Sequence, residues 1–388
     1  MCHLPQTNRS RTQGGGAGEL DAVACDTCTV GIDLNPGTAA LGNPQLISII
    51  IDEMDGGAIS FERFMELALY HPEHGYYRTG KRVGRDGDFL TSPHVHALFG
   101  WCVAGWCHWL WTALGRPEAF TIFEPGAGDG LLAGQILDWA AGRNDGFANA
   151  VQYVAIEPNS PGNDHRISWT LEPVPVESGV VISNELFDAL PVRLFEGSGR
   201  GPVEVMVRWD GERFVEVSGA VASIEGAPQL GRFEVNTRAY PTMEAMCGLV
   251  ERGAVLTFDY GYAREELWAE WRHQGTLLAF YKHTAHEDPS VHVGEQDLTA
   301  HVDLTELEAA MAASGMEAWD PVSQAEFLYA LGARELVEAV RADASEYFRR
   351  RRALEELADI AGLGRIRVLA GTRGVELDGP PPGFEPLP

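Results

Sequence analysis

Short apolar stretches recur along the chain, and the best-defined ones end on an acidic or polar residue. They are FTIFE (120–124), VQYVAIE (151–157), VVISN (180–184) and AVLTFD (254–259). Such stretches are typical of buried strands, and helical patterns occur between them. This alternation predicts an α/β fold with a mainly parallel sheet. In an open sheet of this kind the polar strand ends share one edge, where ligands bind.

The first strand ends at Glu124 and runs into three glycines at alternate positions, Gly126, Gly128 and Gly130, named here the glycine turn. A helical apolar pattern begins at Leu131. Glycines at this spacing allow positive φ and the close approach of another molecule, because they have no Cβ. The pattern therefore predicts a ligand-binding turn between a strand and a helix.

The spacing of the glycines distinguishes three kinds of glycine-rich turn. A phosphate-binding P-loop is excluded because no Gly-Lys-Ser/Thr follows. A dinucleotide fingerprint is disfavoured because Leu131 stands where its third glycine belongs. The remaining pattern, E-x-G-x-G-x-G, is typical of class I S-adenosylmethionine (SAM) methyltransferases, and Glu157 could accept hydrogen bonds from ribose hydroxyls. An ordinary glycine-rich turn is the open alternative.

The amino-terminal part is predicted to be helical after a disordered extension over residues 1–42. Asn43 precedes a proline and is expected to cap a helix that closes at Gly56. Ser60 is expected to cap a second helix. A polar loop follows, whose candidate site residues are Gly87, Asp88, Thr91, Ser92 and Pro93. Its composition fits a site-lining loop and a plain surface connection equally well.

The segment from Val95 to Leu114 contains no Asp, Glu, Lys or Arg. It is about as long as a membrane span, but Gly100, Gly105 and His108 interrupt it. We predict a buried or interface helix, because helices that are apolar on all sides also occur inside large soluble proteins.

Polar residues after two further strands form a second group of candidates. Asn184, Glu185 and Asp188 follow VVISN, whereas Asp259 and Tyr260 follow AVLTFD. If these strands neighbour the first one, these side chains lie beside the glycine turn. Helix capping by Asn184 or Asp188 is the alternative.

The carboxyl-terminal half contains an insertion, a helical region and a tail. Residues 193–250 are predicted to be an inserted cap, with a hairpin around Asp210-Gly211 and a returning helix. Residues 333–361 have an amphipathic helical pattern. The string RIRVLAG (365–371) is predicted to be an edge strand, and residues 377–388 are predicted to form a proline-rich tail.

Composition restricts the partners and the compartment. The chain has 29 Lys and Arg against 56 Asp and Glu, a net charge of −27, which disfavours nucleic acid and favours a cationic acceptor. Its six cysteines show no disulfide-framework spacing, so we expect a reducing, cytoplasmic location. Cys25 and Cys28 form a lone CxxC pair, and no metal site is expected.

Seven strings occur in order over residues 58 to 375: LALYHPEHGYY, GDFLTSPHVHALFG, EPGAGDG, SNELFDALPV, DYGY, GTLLAFYKH and DLTAHVDL. Together they resemble the MidA family of SAM-dependent methyltransferases. The resemblance implies a class I, Rossmann-like methyltransferase domain over residues 43–376, with a helical part at 43–118 and the cap at 193–250. Eukaryotic members are mitochondrial complex I assembly factors that dimethylate a protein arginine, so the resemblance implies SAM as cofactor and a protein arginine N-methyltransferase.

The resemblance also implies roles for individual residues. The implied cofactor-binding residues are Glu124, Gly126, Gly128, Gly130, Glu157, Gly87, Asp88, Thr91, Ser92 and Pro93. The implied acceptor-side residues are Asn184, Glu185, Asp188, Asp259, Tyr260 and Gly261. His94 is a departure, because the family usually has Glu after Ser-Pro.

For an arginine acceptor, Glu185 and Asp188 are the candidates to orient the protonated guanidinium. Asp259, Tyr260 or His301 could complete the pocket or remove the proton, although a lone histidine is more often structural. The expected partner is a protein, for example a respiratory complex subunit, and a homodimer is left open. The rival functions are a small-molecule methyltransferase and a SAM-binding assembly factor without catalysis.

Overall fold

A computed structural model of the chain describes residues 41–78, 90–158, 162–282 and 284–385. Gly42 forms a bridge with Val293, and the amide of Asn43 donates to the same residue's carbonyl at 2.9 Å. Backbone hydrogen bonding to the rest of the domain therefore begins just before the predicted first helix. The candidates Gly87 and Asp88, like the CxxC pair, lie outside the described residues.

The helices bear out the predicted caps. Oδ1 of Asn43 accepts from the amide of Leu46 at 3.1 Å, and Oγ of Ser60 accepts from the amide of Arg63 at 3.1 Å. The region predicted as one helical stretch over 333–361 consists of two helices, the last two of the list. In chain order the helices are α1 (Pro44–Met54), α2 (Phe61–Tyr70), α3 (Ser92–Val95), α4 (Leu98–Ala113), α5 (Leu131–Ala141), α6 (Phe147–Ala150), α7 (Ala239–Cys247), α8 (Arg264–Leu267), α9 (Leu304–Ala313), α10 (Gln324–Ala330), α11 (Ala333–Glu338) and α12 (Ala344–Leu357).

The strands form a large mixed sheet and three smaller sheets. In chain order they are β1 (Ala58–Ser60), β2 (Phe120–Pro125), β3 (Val151–Ile156), β4 (Ile167–Thr170), β5 (Val176–Asn184), β6 (Arg193–Ser198), β7 (Pro202–Trp209), β8 (Phe214–Val221), β9 (Leu230–Val235), β10 (Val250–Asp259), β11 (Gly261–Tyr262), β12 (Leu278–Tyr281), β13 (Thr284–His286), β14 (Asp297–Thr299), β15 (Val302–Asp303), β16 (Glu317–Ser323) and β17 (Arg367–Arg373).

The large sheet has seven strands in the order β16-β17-β10-β5-β2-β3-β4. Strands β10, β5, β2, β3 and β4 run parallel to one another, whereas β17 is antiparallel to both β10 and β16. The expected α/β architecture is confirmed, and the carboxyl ends of β2, β3, β5 and β10 share one edge. The prediction of an edge strand at the carboxyl end is wrong, because β17 is paired on both sides.

The second sheet has five antiparallel strands, in which β6 to β9 are joined by β1 from the amino-terminal part. Strands β7 and β8 form the predicted hairpin, where Asp210 Oδ1 accepts from the amides of Glu212 and Arg213. Helix α2 packs on this sheet through Phe64, whose ring centroid lies 5.2 Å from that of Phe214. Helices α1 and α2 and strands β6 to β8 therefore share one apolar core.

Helix α4 is buried against the large sheet. Trp106 is fully buried, and the ring of Phe99 lies 5.1 Å from that of Phe258 in β10. Within the described part of the chain, no helix is long and apolar enough to cross a bilayer. Cys102 and Cys107 on α4 are buried free thiols.

The described part of the predicted proline-rich tail packs against the domain. Phe384 is 6% exposed, and its ring centroid lies 6.1 Å from that of Phe327 in α10. Residues up to Phe384 therefore contribute to the main core, which the proline-rich composition did not indicate.

Candidate functional site

The glycine turn lies between β2 and α5 at the carboxyl edge of the large sheet. Gly126, Gly128 and Gly130 have φ values of 72°, 55° and 79°, which L side chains rarely adopt. A Cβ added at Gly128 would meet no heavy atom of the described residues within 4 Å, so this side of the residue is open to them. The amide of Gly126 donates to the carbonyl of Ile156 at 2.9 Å, which attaches the turn to β3. The turn thus has an accessible backbone face.

Two acidic residues predicted to bind the cofactor have different surroundings. Glu124 is buried and accepts a hydrogen bond of 2.7 Å from the hydroxyl of Tyr153. Burial raises the pKa of Glu124 to about 8, since a low-dielectric setting disfavours the charged form. Glu157 is half-buried, and its Oε2 accepts from the amide of Gly128 at 3.1 Å. Glu157 therefore lies against the accessible face of the turn, whereas Glu124 lies inside the protein.

The described end of the upstream loop leads into α3, which packs against α5 and α10. Oγ of Ser92 donates to Oε1 of Gln324 at 2.8 Å, and the carbonyl of Pro93 accepts from Nε2 of Gln135 at 2.8 Å. Thr91, Ser92 and Pro93 are all buried. Of the two alternatives for this loop, these three residues do not fit a plain surface connection.

His94, the departure from the family pattern, connects α3 to the glycine turn. Its Nδ1 lies 2.7 Å from Oγ1 of Thr91, and its Nε2 lies 3.8 Å from Oδ2 of Asp129. The contact with His94 is the main cause that lowers the pKa of the Asp129 carboxyl. Because Asp129 stands between Gly128 and Gly130, His94 couples the upstream segment to the turn.

Glu185 follows β5 and contacts both halves of the site. Its backbone φ is 51°, which is strained for a residue other than glycine and often marks a functional position. Its carboxylate accepts from the amide of Ser92 and, at 2.9 Å, from Nδ2 of Asn184. Burial, and then the nearby charge of Asp188, raise the pKa of Glu185 to about 8.

Asp259 at the end of β10 fixes the turn that follows β5. Its Oδ2 accepts from the amides of Leu186 and Phe187 at 3.1 and 2.8 Å, and its Oδ1 accepts from the amide of Tyr260 at 2.9 Å. Asp188 is buried in the same turn. Burial raises the pKa of both carboxyls, and repulsion by Asp188 raises that of Asp259 further.

Neither Asn184 nor Asp188 caps a helix, so that alternative does not describe the structure. Asn184 is the last residue of β5, and Asp188 stands in the turn before β6. Oδ1 of Asn184 is buried and has no hydrogen-bond partner among the described residues. Buried polar atoms are nearly always paired, so this acceptor is available to a bound molecule.

Tyr260 and His301 form a stacked pair next to this turn. Their ring centroids are 6.4 Å apart and the planes differ by 14°. Burial, and then the charges of Arg365 and Arg272, lower the pKa of His301 to about 4. The imidazole is therefore neutral at physiological pH, and its Nδ1 has no hydrogen-bond partner within the described ranges.

Three further residues of the site were not among the candidates. The hydroxyl of Tyr77 donates to Oδ1 of the buried Asp297 at 2.8 Å, and the hydroxyl of Tyr70 donates to the carbonyl of Ala189 at 3.0 Å. Burial, and then the charge of Asp297, raise the pKa of both tyrosines. All three lie in strings that carried the resemblance, LALYHPEHGYY and DLTAHVDL, which was the available signal.

Comparisons with known proteins give a consistent result. Residues 102–322 match the model of a family described as "Putative S-adenosyl-L-methionine-dependent methyltransferase". The chain is 28% identical to protein arginine methyltransferase NDUFAF7, mitochondrial, of Danio rerio, covering 71% of this chain and 74% of that protein. It is also 28% identical to the Homo sapiens protein of the same name, covering 74% of this chain and 73% of that one.

A solved structure is similar to this protein in fold over most of the chain. It is the crystal structure of a Burkholderia thailandensis protein bound to S-adenosyl-homocysteine. The TM-score is 0.79 at 30% identity, and the match covers 88% of this chain and 94% of that one.

The prediction of a cytoplasmic location is wrong on these findings, because the curated relatives are named as mitochondrial proteins. The error has a simple cause. A lack of disulfide spacing indicates only a reducing environment, and it does not distinguish one reducing compartment from another.

Proposed function

Because the chain belongs to the MidA family of SAM-dependent methyltransferases, we propose that it methylates an arginine side chain of a protein. The observation that carries the proposal is the pair of buried carboxyls, Glu185 and Asp188. Neither has an arginine or lysine partner among the described residues. The pair adjoins the glycine turn, since a Cβ at Gly126 would lie 3.0 Å from Cδ1 of Leu186. The relatives named as protein arginine methyltransferases support the same acceptor.

SAM is the cofactor, and the residues of the glycine turn fit it. Among the described residues, no atom would lie within 4 Å of a Cβ at Gly128, and Glu157 adjoins this residue with a carboxylate that can accept hydrogen bonds from ribose hydroxyls. Bound SAM supplies an electrophilic methyl group on a sulfonium. Thr91, Ser92 and Pro93 support the turn from α3, and Glu124 supports it from inside the protein. Gly87 and Asp88 stay predictions.

Asn184, Glu185 and Asp188, named here the acidic pocket, hold the acceptor guanidinium in this proposal. Arginine remains protonated, and a cation between two carboxyls with raised pKa favours their charged forms. Charge-assisted, potentially bidentate hydrogen bonds then align one guanidinium nitrogen for in-line displacement. The unpaired Oδ1 of Asn184 is an acceptor for a remaining N–H group.

Tyr260, His301 and Asp259 have separate roles in this proposal. His301 is neutral and can accept the proton that leaves the methylated nitrogen. Tyr260 stacks on it and limits the orientation of its ring. Asp259 is a positioning residue, because its described hydrogen bonds all run to backbone amides of the turn.

We also propose the finer fold assignment. The strand order of the large sheet, with one antiparallel strand near its end, supports a class I, Rossmann-like methyltransferase domain over residues 43–376. Helices α1 and α2 share an apolar core with strands β6 to β8 of the 193–250 segment, which supports the action of these elements as one cap beside the site. The relatives' names support a protein substrate, and a respiratory complex subunit is the first one to try.

The test is to incubate the purified chain with SAM labelled in its methyl group and with host lysate. We expect label in protein, and methylarginine after acid hydrolysis. Glu185→Gln is the matched control, since it should bind SAM and transfer little label. Label confined to small molecules would instead make the enzyme a small-molecule methyltransferase. An absence of transferred label under conditions where SAM binds would favour the assembly-factor alternative.

A further inference from the structure

A row of rings and two arginines runs outward from the acidic pocket. The guanidinium of Arg365 lies 5.6 Å from the ring centroid of Tyr260. The guanidinium of Arg272 lies 4.2 Å from the centroid of Tyr262 and 4.4 Å from that of Trp271. We name this surface the arginine–aromatic strip, and its members are Tyr260, Tyr262, Trp271, Arg272, His301 and Arg365. The ring of His301 connects the two halves, at 6.4 Å from Tyr260 and 5.3 Å from Tyr262.

The two arginines of the strip lack an acidic partner among the described residues. Arg272 donates a long bond of 3.4 Å to the carbonyl of Glu266, and the Arg365 side chain, which lies over the ring of Tyr260, makes no hydrogen bond or ion pair with a described residue. Arg264, nearby in α8, shows the usual arrangement. It also stacks on a tryptophan, at 5.2 Å, but it pairs with Asp303 at 2.5 Å. In a chain with a net charge of −27, two cations without an acidic partner beside the site are available to an external anion.

His301 is a second, independent sign of a ligand at the strip. Its ring lies beside those of Tyr260 and Tyr262, and its buried Nδ1 has no hydrogen-bond partner in the described ranges. A buried nitrogen of this kind is nearly always paired. Trp271 adds an exposed ring, with 65% of its surface accessible, of the type enriched where proteins bind other proteins.

The strip and the acidic pocket have opposite charge and meet at Tyr260. The charges of Glu185 and Asp188 raise the pKa of the Tyr260 hydroxyl, whereas the charge of Arg365 lowers it. The hydroxyl therefore lies within electrostatic reach of both. A ligand that occupies both surfaces must itself carry a cation and, a short distance away, an anion.

We infer that the arginine–aromatic strip binds an acidic side chain of the substrate polypeptide, so that the enzyme selects arginines that have Asp or Glu nearby in sequence. This inference rests on the proposed function, because the acidic pocket takes the arginine. The carboxylate of the substrate lies against Arg272 and Arg365 near Nδ1 of His301, and Trp271 packs on the polypeptide that connects the two charges. Arg272, Arg365 and Trp271 are thus specificity determinants, separate from Glu185 and Asp188, which align the nucleophile.

The test measures peptide binding to the full chain saturated with S-adenosyl-homocysteine, by fluorescence anisotropy. Three labelled glycine–serine peptides are compared: a central arginine flanked by glutamates, the same arginine flanked by glutamines, and a central citrulline flanked by glutamates. We expect glutamate flanks to tighten binding by about five- to tenfold, the effect of two partly exposed ion pairs. The citrulline peptide should keep most of the affinity that its glutamate flanks provide, because the contact of these glutamates with the strip does not depend on the acidic pocket.

The double variant Arg272→Gln/Arg365→Gln should lose the preference for glutamate flanks and keep its SAM affinity and melting temperature. Arg116→Gln is the matched control, since Arg116 also stacks on a tryptophan, at 5.5 Å, but precedes β2 at the opposite edge of the large sheet. Raised salt should shrink the preference, because exposed charges are screened.

Equal binding of the glutamate- and glutamine-flanked peptides, or of no peptide at all, would overturn the inference. A preference that survives in the double variant would overturn it as well. Methyl transfer to the arginine peptides is read separately. Transfer that is insensitive to the flanking residues refutes only the strip, whereas flank-dependent binding without any transfer refutes the proposed arginine methylation and leaves the strip supported.

Discussion

The glycine turn and the acidic pocket adjoin at one edge of the sheet, but they are built from different parts of the chain. The turn offers backbone, in conformations that only glycine adopts easily, and no described residue lies within 4 Å of a Cβ placed at Gly128. The pocket offers side chains from a strained segment, and Glu185 is held there by Asn184 and by the amide of Ser92. The glycine turn can bind a ligand because its residues lack side chains, whereas the acidic pocket can bind one because its side chains carry charge.

Because of this difference, we expect the glycine turn to control the binding of SAM and the acidic pocket to control methyl transfer. A backbone surface is fixed once the fold forms, and pH does not change its charge. Buried carboxyls with raised pKa change charge in the physiological range, and an arriving cation favours ionisation. Substitutions in the turn should therefore act on SAM affinity, whereas substitutions in the pocket should act on turnover.

Gly128→Val should have the largest effect and abolish SAM binding, because a branched side chain fills the space that the cofactor approaches. Gly56→Val is the matched control. Gly56 has a φ of 74° and open space around its Cβ, but it lies at the end of α1. Both variants should lose some thermal stability through backbone strain. Calorimetry should show SAM binding only in the control, and normal affinity in a folded Gly128→Val would refute the assignment of the turn.

Glu185→Gln should lower turnover on the order of a hundredfold through lost alignment of the acceptor, while SAM affinity stays near that of the parent. The amide keeps the shape and removes the charge. Asp188→Asn should behave in the same direction. Turnover, SAM affinity and melting temperature are to be measured for each variant, and normal turnover in both would remove the acidic pocket from the mechanism.

The acidic pocket and the glycine turn should also differ in their response to pH, which the pH dependence of kcat/KM and of SAM affinity can show. Glu185 must be ionised to hold a guanidinium, and its pKa is raised to about 8. With an arginine peptide, kcat/KM should therefore rise by about tenfold per pH unit below the apparent pKa of the coupled carboxyls. SAM affinity should change little over the same range. A flat profile in the parent would contradict ionisation at this site.

The same shift predicts how stability depends on pH, with a definite sign. The folded pKa of Glu185 lies above its ordinary value of 4.5, so the folded state binds the proton more tightly. The stabilisation is fully present below about pH 4.5 and is lost as pH rises through about 8. Glu185→Gln removes this contribution and should flatten the change in melting temperature over that range.

Glu157→Ala should have the smallest of these effects and weaken SAM binding by about 1–3 kcal/mol, as expected when buried hydrogen-bonding groups lose their partner. The Gly128 amide also loses its partner at 3.1 Å. Glu157→Gln distinguishes the two causes, since it can restore the bond to the amide without the charge. Calorimetry that finds unchanged affinity in Glu157→Ala would move the ribose site elsewhere.

The turn was predictable because its information is local. Three glycines at alternate positions after a strand require a special backbone, and the structure has positive φ at each of them. The parallel neighbours of β2 also followed from apolar stretches that end on polar residues. The position of β17 did not, because its two partners are set by pairing over long sequence distances and its own residues only indicate a strand.

The acidic pocket was predictable as a group of residues but not as an arrangement. Asp259 was a candidate for contact with the acceptor, yet its oxygens bind amides of Leu186 and Phe187, which are far from it in sequence. Asp297 was overlooked because its partner Tyr77 comes from the amino-terminal part. Spacing along the chain carries no information on such contacts.

The place of β17 in the sheet also affects how the protein is made. A ribosome delivers the chain from its amino end, so one side of β10 stays unpaired until residues 367–373 have emerged. An unpaired strand edge is a template for incorrect pairing, and chains of this size expose such edges during folding. Arg373 then attaches the last turn of α7 through a bond of 2.8 Å to the carbonyl of Cys247. A premature stop codon just before residue 367 would therefore yield a chain that contains every residue of the site but cannot hold them together.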